Sequence, residues 1–324
     1  MRTEKIREVA RRLLEEKVVE VFLGYEKTAL PYRNRIVAVR SPEEVQRLVW
    51  PSFGVLNLAN ALHKLQGKKV GLLATGCVSR AVTVLLQEGQ LQRENLYLVG
   101  APCPGMLDPA KVKAKAPGVT KIGDNLKDEV LLLTGQHEEK FFRDDLLRQN
   151  CLECRHPEPP LYDELLDFSA RAEAKTPYQR VEEIEAMDPS SRWAWFTKEI
   201  TERCLRCYAC RQACPLCYCP TCFVDDSRPQ WVGKTRDPID TALYHIVRAY
   251  HLAGRCVDCG SCEAACPMGI PLRLLTKKLE KEALATFSFE SGLDLEAPLL
   301  LASFEENDPE DFMITSELKA AGKI

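Results

Sequence analysis

Fifteen cysteines are the residues in this 324-residue chain whose type and spacing can do chemistry, and eleven of them fall between Cys204 and Cys266. Cys204-x2-Cys207-x2-Cys210-x3-Cys214-Pro215 and Cys256-x2-Cys259-x2-Cys262-x3-Cys266-Pro267 are two copies of one run. Disulfides fit poorly, because the count is odd, the gaps are two or three residues, and no export signal precedes them. Zinc favours two separated Cys-x2-Cys pairs rather than a four-cysteine run ending in proline. The spacing suits thiolate ligands of iron–sulfur cubanes. Three cysteines in a tight loop can take three corners of one cubane, while the fourth, turned away at the proline, reaches the neighbouring cluster. Cys204, Cys207, Cys210 and Cys266 are therefore expected to hold one [4Fe-4S] cluster, and Cys256, Cys259, Cys262 and Cys214 a second.

Seven cysteines lie outside these sets. Cys217, Cys219 and Cys222 follow the first run within eight residues. Three readings stand for them: ligands to a further centre completed by a partner, a replacement for an assigned ligand, or buried free thiols. Cys77, Cys103, Cys151 and Cys154 occupy the first half. They are either structural thiols or a third four-thiolate site, and Cys77 would gain thiolate stabilisation from a helix N-terminus. The five histidines are scattered; His245 and His251 are expected to serve the helix that separates the two runs, or its end. Carboxylate pairs such as Asp225-Asp226 read as solvated turns.

The elements that must position these thiols begin with a helix over 3–17, its apolar face formed by Ile6, Val9, Leu13 and Leu14. Strands are expected at Val18–Leu23 and Arg35–Arg40. A capping box at Ser41-Pro42-Glu43-Glu44 starts a helix, and another is expected over Gly54–Gln66. The clearest unit is strand Lys69–Thr75, helix Val78–Gln87 and strand Asn95–Ala101, whose spacing indicates a parallel α/β sheet. Each strand delivers a cysteine just past its C-terminal end, where open α/β sheets bind ligands. Strands near Val119–Gly123 and Val130–Leu133 and a helix over Glu138–Asn150 would complete this domain.

The expected division is an α/β domain over 1–155 and a proline-rich connector over 156–190. A mostly helical, two-cluster ferredoxin-like domain follows over 191–285, and an acidic tail, frayed or draped on a partner, over 286–324. An insertion at about 223–255 contains a helix capped at Asp237-Pro238. It would cover the clusters and tune them by excluding water, or serve as scaffold.

Composition sets outer limits. Hydrophobic residues make up 45%, charged residues 28%, and the net charge is −3, which gives no whole-chain case for nucleic-acid or membrane binding. No apolar run approaches the ~18 residues of a membrane span. The expectation is a cytoplasmic protein.

The stretch Lys69–Met106 resembles the beta subunits of deazaflavin-reducing hydrogenases and related formate dehydrogenases, on Thr75-Gly76-Cys77, Val99-Gly100-Ala101-Pro102-Cys103-Pro104-Gly105 and Cys151-Leu152-Glu153-Cys154. That resemblance implies a third [4Fe-4S] cluster on the four N-terminal cysteines. It also implies FAD, for which Ser52 and Gly54 in Ser52-Phe53-Gly54 are the matching positions, with Phe53 departing from the family's small residue. No Gly-x-Gly-x-x-Gly supports a nicotinamide site. The stretch from Ala253 to Leu272 resembles iron–sulfur subunits associated with heterodisulfide reductases. Both resemblances imply an electron-transfer subunit of an anaerobic multi-subunit oxidoreductase, with the other subunits as partners. Two alternatives are a flavin-bearing catalytic beta subunit exchanging hydride with a soluble carrier, and a scaffold whose clusters are structural.

Overall fold

The computed structural model describes residues 2–124 and 129–300. A five-stranded mixed sheet organises the first half, in the order β2 (Asn34–Val39), β1 (Val21–Lys27), β3 (Val70–Ala74), β4 (Leu96–Gly100) and β8 (Glu164–Leu165). β1 and β2 form an antiparallel hairpin, and the pairs β1–β3, β3–β4 and β4–β8 are parallel. β3 is buried along its whole length, as a strand covered on both faces must be. The helix Gly76–Gln87 carries the chain from β3 towards β4. The helix Arg2–Glu15 packs Ile6, Val9, Ala10, Leu13 and Leu14 into the same core.

Several expected elements are corrected. The helices expected after Ser41 and over Gly54–Gln66 are 3-10 segments, Pro42–Arg47 and Leu58–Lys64. Asn57 starts the second by accepting a hydrogen bond from the Ala59 amide. The stretch expected as a helix over Glu138–Asn150 is β7 (His137–Phe142), followed by short helices Arg143–Leu146 and Gln149–Leu152. β7 pairs with β6 (Glu129–Thr134), which pairs with β5 (Lys121–Asp124), in a separate antiparallel sheet. The Thr134–His137 pair leaves Gly135-Gln136 as a two-residue turn with Gly135 at φ 62°, and this local hairpin outweighs the helical reading.

The proline-rich stretch is extended, yet it closes the main sheet through β8. Gly76 shows how tightly it approaches: a Cβ there would lie 2.0 Å from the His156 carbonyl oxygen. The expected tail is also corrected for 288–300, which folds back on the first half. Arg80 donates to the Ser291 carbonyl, and Glu290 pairs with Arg155 and His156. The rest of the expected tail lies outside the described residues.

The second half consists of the helix Pro189–Phe196, which runs into a wider turn at Thr197–Thr201, then Pro238–Tyr250, Arg273–Phe287 and the two cysteine loops. Asp237 caps the middle helix, accepting from the Ile239 and Asp240 amides. The core of the first half includes Leu216, Leu252 and Val257 from the second, so the two halves share packed side chains.

Candidate metal centres

The two cysteine loops repeat one backbone. In the first, Arg206 and Tyr208 have positive φ (53° and 59°); in the second, Asp258 and Gly260 do (55° and 69°). These are the same two positions of the Cys-x2-Cys-x2-Cys run. Only Gly takes this conformation freely, so Arg206, Tyr208 and Asp258 each carry strain, the sort concentrated at functional sites. One product of the bend is an amide aimed at sulfur: Arg206 N–H donates to Cys204 Sγ at 3.3 Å, and the Asp258 amide does the same for Cys256.

Cys204, Cys207, Cys210 and Cys266 line one small cavity with Tyr244, His245 and Met268. Cys204 and Cys210 are buried and Cys207 is exposed. Two side chains of the Pro238–Tyr250 helix touch this set: His245 Nε2 lies 3.2 Å from Cys204 Sγ and Tyr244 Oη 3.4 Å from Cys210 Sγ. Burial, reinforced by Arg248 and Arg206, pushes His245 down to about 3. His245 therefore does more than serve its helix, whereas His251 packs edge-on against Phe223.

Cys214, Cys256, Cys259 and Cys262 lie within electrostatic reach of one another: Cys259 acts on Cys214, and Cys259 and Cys256 act on Cys262. Burial pushes Cys256 up to about 11 and Cys262 higher still. Asp258 in this loop meets Arg273 at 2.9 Å and Lys277 at 2.9 Å. Arg273 also pairs with Glu153, between Cys151 and Cys154, and Lys277 with Glu280. This buried network ties the second loop to the first half of the chain. Sequence reasoning missed it, because nothing local marks Arg273 or Lys277 as interior.

Cys77, Cys103, Cys151 and Cys154 line one cavity, and Cys259 lines it too. Cys77 follows β3 at the head of the Gly76–Gln87 helix, and Cys103 follows β4. Gly105 N–H donates to Cys103 Sγ and Met106 N–H to Cys151 Sγ. Burial raises Cys77 well above a free thiol, Cys103 to about 12 and Cys154 to about 11. Left bare, these groups would hold their protons; a bound metal would make thiolates of them.

Arg148 donates to the Gly260 carbonyl at 2.7 Å, Asn150 to the Cys259 carbonyl at 3.1 Å, and the Asn57 amide to Ser261 Oγ. These bonds hold the second loop over the N-terminal cavity. All three thiol sets fit iron–sulfur clusters: each is purely sulfur, partly or wholly desolvated, and met by backbone amides or polar side chains. Among the described residues no group of three or more His, Cys, Asp or Glu side chains is placed to hold a single metal ion.

Cys219 and Cys222 are not gathered into any of these sets, and Cys217 touches the second only through Cys214. All three line a separate cavity with Arg211, Arg248 and Arg255. Cys217 is held down to about 6, first by a hydrogen bond with Cys214 and then by the neighbouring guanidinium groups. Cys219 is exposed.

The turn read as a flavin seat is packed in part: Ser52 and Gly54 are half-buried, and Gly54 lines the cavity of the N-terminal thiols. Phe53 is buried among Leu107, Val112, Leu146 and Leu147, and its amide donates to Asn34 Oδ1. A Cβ on Gly54 would meet the Pro51 ring at 2.6 Å and Tyr25 at 3.1 Å. The Ser52 carbonyl accepts from the Leu107 amide.

Residues 199–270 match the 4Fe-4S dicluster domain family, so the C-terminal part of the chain is an iron–sulfur domain. The chain is similar to the F420-dependent formate dehydrogenase subunit beta of Methanocaldococcus jannaschii, at 24% identity over 73% of this chain and 77% of that protein. It is similar to the F420-dependent formate dehydrogenase 1 subunit beta of Methanococcus maripaludis, at 23% identity over 79% and 84%. A superposition on the F420-reducing [NiFe] hydrogenase complex of Methanosarcina barkeri has TM-score 0.35 and 14% identity, over 46% of this chain and 58% of that one, and carries no weight here. No helix among the described residues is long and apolar enough to cross a membrane.

Proposed function

We infer that this chain, a relative of the beta subunits of F420-dependent formate dehydrogenases, is the iron–sulfur electron-transfer subunit of an oxidoreductase complex. Its partners are the other subunits of a complex of the formate dehydrogenase or hydrogenase type. Three [4Fe-4S] clusters are proposed. Cys204, Cys207, Cys210 and Cys266 hold the first, Cys214, Cys256, Cys259 and Cys262 the second, and Cys77, Cys103, Cys151 and Cys154 the third. Bound clusters supply one-electron transfer.

The observation that carries this reading is Cys259, which belongs to the second loop yet lines the cavity of the N-terminal thiols. One strained loop thereby brings two thiol sets together, while the repeat of that loop presents Cys207 at the surface. The rest of the chain serves the sets in identifiable ways. The helices Pro238–Tyr250 and Arg273–Phe287 supply side chains to the two loops, and Arg148 and Asn150 fix the second loop over the first half. Amides at 105, 106 and 206 point at sulfur and compensate buried negative charge. The division into a sheet domain over 1–155 and a dicluster ferredoxin-like domain over 191–285 is proposed as a division of chemistry, since the packing is shared. Flavin is left out of this proposal, because the tight packing around Gly54 accounts for that glycine by itself.

Anaerobic purification with the partner subunits attached, followed by iron, acid-labile sulfide and flavin analysis, tests the reading. About twelve irons per chain are expected, and about eight would leave the N-terminal thiols structural. Zinc without acid-labile sulfide would overturn it. A stoichiometric flavin would favour the catalytic alternative.

A further inference from the structure

Tyr244 and His245 are adjacent on the Pro238–Tyr250 helix, and both are almost completely buried, at 1% and 2% exposure. Their polar atoms meet sulfurs of a single set, Tyr244 Oη at Cys210 and His245 Nε2 at Cys204. Packing alone does not call for these residues. Phenylalanine and leucine would fill the same space without desolvating a hydroxyl and an imidazole N–H, each costly to bury unpaired. The loop does not need them to close either, since the Arg206 amide already bonds Cys204 Sγ.

The second loop is served differently. Ser261 Oγ lies 3.3 Å from Cys259 Sγ, but its single proton is also drawn to the Val55 carbonyl at 3.4 Å. Thr276, on the helix that packs against Asp258, shares its single hydroxyl proton between Cys256 and the Arg273 carbonyl, which it meets at 3.0 Å. Arg248 does not discriminate between the loops: its guanidinium donates to the Cys210 carbonyl and its charge also acts on Cys214 and Cys262.

We propose that Tyr244 and His245 set the reduction potential of the first site, each donating a hydrogen bond to a cysteine sulfur and so raising that potential above the second site's. The physical reason is that reduction adds negative charge, part of which resides on the thiolates, and a donor aimed at sulfur stabilises the reduced form more than the oxidised one. The proposal rests on the reading that Cys204, Cys207, Cys210 and Cys266 hold a cluster. It makes the outward-facing site the one that retains an electron at rest.

The test is an anaerobic redox titration of the chain in its complex, followed by electron paramagnetic resonance, for wild type, Tyr244→Phe, His245→Leu and His245→Gln. In wild type the first site should titrate above the second. Tyr244→Phe and His245→Leu should each lower the ratio of reduced to oxidised first site about tenfold at a fixed potential, a fall of about 59 mV for a one-electron couple. The second site should not move, and His245→Gln, which keeps an N–H, should recover part of the fall. Unchanged midpoints in both Tyr244→Phe and His245→Leu at wild-type iron content would overturn the proposal, as would a shift confined to the second site. Should His245→Leu lose iron, Tyr244→Phe, which removes one oxygen atom, decides alone. Cys204→Ala separates the two failures: unchanged iron content there would overturn the ligand reading itself.

Discussion

The two cysteine loops have the same spacing and the same pair of positive-φ positions, yet they sit in opposite surroundings. The first leaves Cys207 exposed and is lined by the aromatic and imidazole rings of Tyr244 and His245. The second is held against the first half of the chain by Arg148, Asn150 and Asn57, and by a buried network of Arg273, Lys277, Asp258 and Glu153. A repeated motif thus fixes the local backbone and leaves the task of each copy to its neighbours. One copy is a junction between the two halves, and the other presents a single cysteine, Cys207, at the surface.

The comparison breaks most completely if the fourth cysteines do not cross between loops. Cys266→Ala should remove or convert the cluster of Cys204, Cys207 and Cys210 and leave that of Cys256, Cys259 and Cys262. Spectroscopy that distinguishes the two clusters in the variant checks this, and loss of the Cys256 cluster instead would show uncrossed ligation. Cys214→Ala is the mirror experiment, but Cys217 lies hydrogen-bonded beside Cys214 and is available to substitute.

The next largest effect separates the loops by their electrostatics. Arg273 is 1% exposed and meets Asp258, Glu153 and Glu263. Arg273→Met leaves buried carboxylates without their partner and should cost about 3–5 kcal/mol. Denaturant unfolding measures it. Arg203→Met, which removes a half-exposed partner of Glu199 beside the first loop, should cost under about 1 kcal/mol. Equal losses would deny that the second loop is the buried junction.

A third difference is in pH dependence. Cys103 is raised to about 12, and Cys154 and Cys256 to about 11, mainly by burial. Each folded-state value lies above that of the unfolded thiol, so the native chain binds more protons than the unfolded one above about pH 8.5. Chain stripped of clusters should therefore lose stability as pH rises from about 8.5 towards 11, by at most about 1.4 kcal/mol per thiol per pH unit. Cluster-loaded chain, whose thiolates are already deprotonated, should lack this slope. Thermal melts of the two forms between pH 7 and 10 make the comparison.

The smallest expected effect is at the loop bends. Gly260 has φ 69°, and a Cβ there would lie 2.7 Å from the Asn150 side chain, so Gly260→Ala should cost about 1–3 kcal/mol. Its counterpart Tyr208 already carries a side chain at φ 59°, and Tyr208→Gly should relieve strain while losing the ring's contact with Tyr244. A near-neutral result for Tyr208→Gly beside a clear loss for Gly260→Ala would sharpen the contrast between an open and a covered loop.

The sequence by itself picked out the two Cys-x2-Cys-x2-Cys-x3-Cys runs, because cysteine spacing is a local property and a tight loop can present its sulfurs in few ways. It also determined the β3–helix–β4 unit and the cap at Asp237, both written in runs of a dozen or so residues. It misread 138–150, where a two-residue turn at Gly135 redirected an ambiguous charged stretch into a strand. Only the tertiary structure decided that Cys259 shares a cavity with Cys77. Likewise, no sequence pattern showed that Glu153 and Asp258 meet through Arg273, or that Tyr244 and His245 face sulfur while Ile239 and Tyr250 face water. These facts depend on which face of a helix is turned inward and on contacts spanning a hundred residues or more. A buried charge or hydroxyl looks like any surface residue until the partner that neutralises it has been brought alongside.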